Sequence, residues 1–256
     1  MVDIHSHLIW GIDDGSESKE MTINMLKQAK EGGTKKLVLT PHYLLGYYEV
    51  PIIKVKEKAK EISLLAKYNE IDIEIYCGQE VYFNRKILEN FENKIIGTIN
   101  ESRYMLIEFN MRNFSVEEVI EILYELQLKG IVPIIAQPER YIKFIKSPSL
   151  INEFIKEGFL FQLNIGSLTG DFGKEVKKTA KIFLKNKIYS FFGSDAHRDK
   201  RRNPNMKLGV EALKAIDNNY FNYLKESGEK LLNNDEIKFI GNAIKEKKGL
   251  LDIFKK

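Results

Sequence analysis

The sequence predicts an α/β fold, a parallel sheet with helical crossovers. Three observations predict it. Short apolar runs alternate with longer amphipathic stretches, strand then helix, seven times along 256 residues. The polar residues with chemical capacity gather where the apolar runs end, the edge on which α/β folds build their sites. No G-x-G-x-x-G follows the first strand and no P-loop is present, so a nucleotide-type sheet loses support. An open doubly wound sheet and a closed barrel both satisfy this pattern.

In chain order, strands are expected at 1–7 (MVDIHSH), 36–40 (KLVLT), 73–79 (IEIYCGQ), 104–109 (YMLIEF), 131–136 (IVPIIA), 159–165 (FLFQLNI) and 188–193 (IYSFFG). Helices are expected near 17–32, 51–69, 84–92, 115–129, 148–157, 172–187 and 205–227. The stretch 115–129 (SVEEVIEILYELQLK) shows why. Ser115 suits an N-cap, Glu118 holds the capping-box position, and Val119, Ile122, Leu123 and Leu126 recur at helical spacing. Gly130 then ends the helix. The basic, amphipathic tail 244–256 (IKEKKGLLDIFKK) reads as a terminal helix packed outside. With no linker, repeat or low-complexity tract, residues 1–256 read as one domain, the helices from about 205 onward lying outside the sheet.

Composition excludes several classes. Hydrophobic residues make up 43% and charged residues 30%, ordinary for a soluble globular protein. The net charge of +4 is spread along the chain, and only the short run from Arg198 to Arg202 (RDKRR) approaches a nucleic-acid stripe, so no nucleic acid is expected as partner. No stretch of 18 apolar residues and no signal peptide is seen, so no membrane span is expected. One cysteine, Cys77, excludes an internal disulfide and fits a reducing cytoplasm.

The strand ends carry the chemistry. His5 and His7 lie on strand one, with Asp14 in the loop after it. His42 follows strand two and Glu80 strand three; Glu108 ends strand four. Asp195 and His197 follow strand seven. Residues i and i+2 of a strand point to one face, so His-x-His and Asp-x-His each aim two side chains at one place. Imidazoles and carboxylates together suit Zn²⁺, Mn²⁺ or Fe²⁺. Alone, each residue has an ordinary role, Asp14 as a turn residue after Asp13 for example. Together they make eight candidate ligands, more than the roughly six one transition metal takes, so two or three ions are implied. Such a pair of ions activates water and stabilises displacement at phosphorus.

The motifs D-I-H-S-H (3–7), G-I-D-D-G (11–15), T-P-H (40–42), G-Q-E (78–80), P-E-R-Y (138–141) and S-D-A-H (194–197) resemble the PHP (polymerase and histidinol phosphatase) superfamily. Within it they are similar to the bacterial tyrosine-protein phosphatases of capsule and exopolysaccharide clusters, the CpsB/YwqE type. The resemblance runs in order from residue 1 to about 215. It implies a distorted (β/α)7 TIM-like barrel and a trinuclear, usually manganese-dependent site on His5, His7, Asp14, His42, Glu80, Glu108, Asp195 and His197. It further implies hydrolysis of phosphotyrosine by a metal-bridging hydroxide, on the tail of a partner tyrosine autokinase controlling polysaccharide export. The family's phosphate-binding arginines fall on Arg140 and Arg202, with Arg201 adjacent to the second. Asp195 or His197 is a candidate to assist the leaving phenolate. Where the family reads A-H-P-E-R, this chain has Gln137, a metal ligand or outer partner with a neutral, poorly coordinating amide.

Tyr43, Tyr47 and Tyr48 follow His42, and Tyr43 and Tyr47 are expected to wall the pocket for a phenyl ring. Cysteine-based phosphatase chemistry needs C-x5-R, whereas seven residues separate Cys77 from Arg85. The alternatives are a histidinol-phosphate or other small-molecule phosphatase, a PHP-type nuclease, and a phosphotyrosine-binding homologue weakened or inactivated by Gln137.

Overall fold

The computed structural model describes residues 1–245, so all but the first two residues of the helix expected over 244–256 lie outside the described residues. The chain runs β1 (Val2–Asp3), α1 (Lys19–Glu31), β2 (Lys36–Leu39), β3 (His42–Tyr43), α2 (Ile52–Tyr68), β4 (Glu74–Cys77), β5 (Glu80–Tyr82) and α3 (Ile87–Glu92). It continues with β6 (Tyr104–Glu108), α4 (Val116–Leu128), β7 (Val132–Ala136), α5 (Ile142–Lys146), α6 (Ile151–Lys156), β8 (Leu160–Asn164), α7 (Gly166–Thr169) and α8 (Lys174–Lys185). The last elements are β9 (Phe191–Gly193), α9 (Lys207–Ile216) and α10 (Asn218–Leu232).

All strand pairs are parallel, in register Val2↔Lys36, Lys36↔Glu74, His42↔Glu80, Glu80↔Leu106, Leu106↔Ile134, Ile134↔Leu160 and Gln162↔Phe191. β3 prolongs β2 and β5 prolongs β4, so the strands form seven staves, the number read from the sequence. A parallel bridge Ser6↔Ala196 closes the ring. There His7 N–H donates to Ala196 O (2.9 Å) and Asp195 N–H to His5 O (2.8 Å). The barrel, not the open sheet, is therefore the form adopted.

The barrel is distorted at staves two and three. Pro41 has no N–H for the ladder, and the pairing shifts around it: Gly78 N–H donates to Leu39 O and Glu80 N–H to Pro41 O. The single strands expected at 36–40 and 73–79 thus miss β3 and β5, which carry His42 and Glu80. Strand one is also shorter than expected, ending at Asp3 and rejoining the sheet in the isolated bridge at Ser6.

Alternation along the staves separates two cores. Ile4, Val38, Tyr104, Leu106, Ile134, Ala136, Leu160 and Phe191 belong to one cluster. It joins Ile4 of the first stave to Leu106 of the fourth, on the opposite side of the ring, which only the barrel interior allows. Their neighbours Met105, Ile107, Ile135, Phe161, Leu163 and Phe192 pack outward beneath the helices. The inward positions turn polar toward the carboxyl end: Leu106 is followed by Glu108, Leu160 by Gln162 and Asn164, Phe191 by Gly193 and Asp195.

The helices follow local chemistry. Ser115 Oγ accepts from Glu118 N–H (3.2 Å), as expected of an N-cap. The reciprocal half of the capping box is not made, because Glu118 accepts from Arg85 Nε instead (2.7 Å). The helix expected over 205–227 is two, α9 and α10. Asp217 is extended (φ −159°) and its side chain accepts from Tyr220 N–H, so it caps a new helix rather than continuing the old one. The short helices α5 and α7 were not expected; each is too brief to show a period.

Candidate metal centre

At the carboxyl mouth the eight expected residues converge in three groups that could hold a metal ion. The groups are His7, Asp14, His42 and His197; His5, His7, Glu80 and Asp195; and His42, Glu80 and Glu108. Within each, the ligand atoms lie within 4.8 Å of one another. Glu80 Oε2 is 3.1 Å from His5 Nε2, 3.3 Å from His7 Nε2 and 3.1 Å from His42 Nδ1. Asp195 Oδ1 is 3.5 Å from both His5 Nε2 and His197 Nδ1. Asp14 Oδ1 is 3.5 Å from His42 Nε2 and 3.4 Å from His197 Nε2.

Two glycines let the mouth close this tightly. A Cβ on Gly15 would meet His7 O at 2.2 Å, and one on Gly193 would meet the His5 Cβ at 2.6 Å. Any side chain at either position would push a histidine out of the cluster.

Oxygen acceptors orient the imidazoles. His5 Nδ1 faces Gln162 Oε1 (3.0 Å), His7 Nδ1 faces Asp13 Oδ2 (2.7 Å) and His197 Nδ1 faces the Asp195 carbonyl (2.9 Å). An N–H on Nδ1 in each case leaves the Nε2 lone pair directed into the mouth. His5 Nε2 and His7 Nε2 are then 3.1 Å apart, lone pair toward lone pair. Buried Glu80 Oε2, Asp195 Oδ1 and His42 Nδ1 have no hydrogen-bond partner. Uncompensated buried acceptors are costly, and divalent cations between them remove the cost, so the residues fit metal ions.

The electrostatics agree. Burial opposes ionisation of Glu80, but His5 and His42 outweigh it and hold its pKa well below the usual range. Burial, then the neighbouring Glu80 and Asp195 charges, push Glu108 well above it. Two carboxylates so close cannot both stay charged without added positive charge.

Beside the cluster, Arg140 Nη1 (2.9 Å), Arg202 Nη2 (2.6 Å) and Asn164 Nδ2 (2.8 Å) all donate to Asp195 Oδ2. Of the two adjacent arginines, Arg202 is the one turned into the site; Arg201 is exposed on its rim. A cavity of about 840 Å³ opens here, lined by Arg140, Phe172, His197 and the cationic segment from Arg198 to Arg202. Asp195, Gln137 and Arg202 all sit at positive φ (51°, 42° and 52°), non-glycine strain of the kind that collects at sites.

Some expectations are corrected. Tyr43 is 2% exposed and packs in the outer core, so it cannot wall the pocket. Its side chain points away from the mouth, beneath the helices, because it follows His42 by one residue in β3. Tyr47 is 80% exposed at a turn, and Tyr48 is the tyrosine near His42, at 6.2 Å between rings. The pocket wall is instead Phe172, with the Arg140 guanidinium carbon 4.3 Å and that of Arg202 6.0 Å from its ring centre. No spacing in the sequence links residues 140, 172 and 202. The sequence alone assigns Asp13 no role beyond its place before Asp14; it accepts from Gly15 N–H as a turn residue would, yet also orients His7 and accepts from His42 N–H. Its adjacency to Asp14 was the available signal.

The family model described as capsular polysaccharide synthesis, CpsB/CapC, matches residues 1–240. The chain belongs to the CpsB/CapC family. CapC of Staphylococcus aureus is 37% identical over 239 residues, 93% of each chain. The tyrosine-protein phosphatase YwqE of Bacillus subtilis is 30% identical over 238 residues, again 93% of each. Among solved structures, a chain from the work on YwqE of B. subtilis and CpsB of Streptococcus pneumoniae, described as unique metal-dependent tyrosine phosphatases, superposes with a TM-score of 0.91. It is 29% identical and the match covers 96% of this chain and all of that one. The CpsB/CapC assignment therefore extends over the barrel and every residue of the mouth.

Proposed function

We propose that this member of the CpsB/CapC family is a metal-dependent protein-tyrosine phosphatase that hydrolyses phosphotyrosine directly. The observation that carries the reading is the set of buried, unpartnered ligand atoms Glu80 Oε2, Asp195 Oδ1 and His42 Nδ1 beside two arginines. His5, His7, Asp14, His42, Glu80, Glu108, Asp195 and His197 would hold two or three divalent ions, manganese first and iron or zinc as alternatives. When bound, such ions neutralise phosphoryl oxygens and acidify a water for attack on phosphorus.

Arg140 and Arg202 would bind the non-bridging oxygens, since a guanidinium fork matches phosphate geometry. Phe172 supports both forks from one side. Asp195 has no proton to give the leaving group: burial would raise its pKa, but His5, Arg202, His197 and Arg140 outweigh burial and hold it well below the carboxylate range. Burial, then the neighbouring His7, keep His197 below the ordinary histidine value. Both therefore act as ligands in this reading, and the phenolate takes its proton from water.

Cys77 has no part in it. It lies on β4, and burial pushes its thiol pKa up, away from a nucleophilic thiolate. The substrate would be the phosphotyrosine tail of a bacterial tyrosine autokinase in capsule or exopolysaccharide synthesis, met in the cytoplasm. The family description supports the capsule setting, and the name of the B. subtilis relative supports the phosphotyrosine chemistry. No helix among the described residues is long and apolar enough to cross a membrane. Because the proposed ligands come from the first four staves and the last, we treat the barrel and its helices as one catalytic unit.

The test is a side-by-side assay of a phosphotyrosine peptide and histidinol phosphate, with and without Mn²⁺. Faster, Mn²⁺-dependent turnover of the peptide is expected. Preference for histidinol phosphate would replace the substrate assignment, and no turnover of either would favour a phosphotyrosine-binding homologue.

A further inference from the structure

Gln137 stands where four of the mouth's side chains meet, and its amide can face only one way. Gly166 N–H donates to Asn164 Oδ1, which fixes the Asn164 amide with Nδ2 toward Gln137 Oε1 (3.1 Å) and Asp195 Oδ2. Arg140 Nη1 also donates to Gln137 Oε1. Arginine has donors only, so both neighbours demand the oxygen on that side. The Gln137 Nε2 amine is thereby turned to Glu108 Oε1 (2.9 Å) and Glu80 Oε1 (3.4 Å).

We infer that Gln137 is locked as a hydrogen-bond donor to Glu80 and Glu108, so that the position made by His42, Glu80 and Glu108 holds its ion more weakly than the other two. The inference rests on the metal reading of the mouth proposed above. Three features point the same way. Turning the amide oxygen toward an ion would set the Gln137 amine against the Arg140 guanidinium and the Asn164 amine, donor against donor. The amine already supplies Glu80 and Glu108 with part of the positive charge an ion would bring. Finally, Glu108 is the sole member of that group not shared with another: His42 and Glu80 also belong to the neighbouring groups. A neutral imidazole has one lone pair, so His42 can serve Asp14's group or Glu108's, not both.

The test counts metal in the holoprotein. The chain is loaded with Mn²⁺, titrated with a chelator, and the retained ions are measured by mass spectrometry of the metal. The first equivalent is expected to leave well before the rest. Gln137→His should bring that equivalent back, with affinity raised about 10- to 100-fold, the range typical of residues around a metal. Three ions released together from the unaltered chain would overturn the inference, as would a folded Gln137→His variant, checked by circular dichroism, with the same early loss. If that variant does not fold, the two-step or one-step release from the unaltered chain decides the matter. Absence of phosphotyrosine turnover would leave these counts untouched, so failure of the phosphatase reading is distinguishable.

Discussion

Phe172 offers no ligand atom, yet both phosphate-side arginines lean on its ring. Cation–π contacts of this kind are worth about 0.5–2 kcal/mol. Phe172→Ala is therefore expected to raise KM for a phosphotyrosine peptide about 2- to 30-fold while leaving kcat nearly unchanged, and Phe172→Tyr should restore KM. Steady-state kinetics on both variants would check this; a loss confined to kcat would contradict it. Glu139 is a second residue whose role lies in its surroundings. Its carboxylate is fully buried and accepts from Asn164 N–H, Ser167 Oγ and Tyr189 Oη, pinning the turn that carries Gln137 and Arg140. Burial pushes its pKa up to about 7 against these donors. The folded state thus binds a proton the unfolded chain releases near pH 4.5, so this group's contribution to stability falls as pH rises from about 4.5 through 7. Asp3, raised by burial to about 6, acts with the same sign. The unfolding free energy from urea titrations is expected to fall less between pH 5 and 7.5 in Glu139→Gln than in the unaltered chain. The difference should be on the order of 1–3 kcal/mol.

Among elements, the division between α9 and α10 depends on one side chain. Asp217 ends the first helix in an extended conformation and caps the second. α10 then buries Tyr220, Leu224, Leu231 and Leu232 against the barrel's amino end and its outer wall. Asp217→Ala should cost about 0.5–2 kcal/mol through the lost cap, seen as a lower Tm with phosphatase activity per folded molecule unchanged. The broken staves show why the strand pattern was only partly legible. β3 and β5 are two and three residues long, too short for alternation to register, and Pro41 separates the first from its parent strand. β6, β7 and β8 were legible because their five positions alternate between the inner and outer apolar clusters, and β9, only three residues long, was legible through the longer apolar run 188–193 that leads into it.

For the whole molecule, the proposed ligands tie the first four staves to the seventh, across the seam closed by Ser6 and Ala196. Ions bound there stabilise the folded barrel by mass action and crosslink its ends. A chelator is expected to abolish turnover and to lower Tm, with both restored by Mn²⁺, whereas Cys77→Ser should leave turnover and its metal dependence largely intact. Thermal melts and assays on the two preparations would check this. A chelator-insensitive enzyme silenced by Cys77→Ser would reverse the mechanism.

The sequence by itself determined the alternation of strand and helix, the number of staves and the types of residue at their carboxyl ends. Those properties are local: side-chain direction follows from backbone period, and affinity for cations from imidazole and carboxylate groups. Tertiary structure alone decided which residues seal the barrel, that Asp13 serves His7 while Asp14 faces two other histidines, that Phe172 backs the arginines, and which way the Gln137 amide points. Each of these depends on atoms brought together from distant parts of the chain, where closeness in space leaves no period or spacing to read.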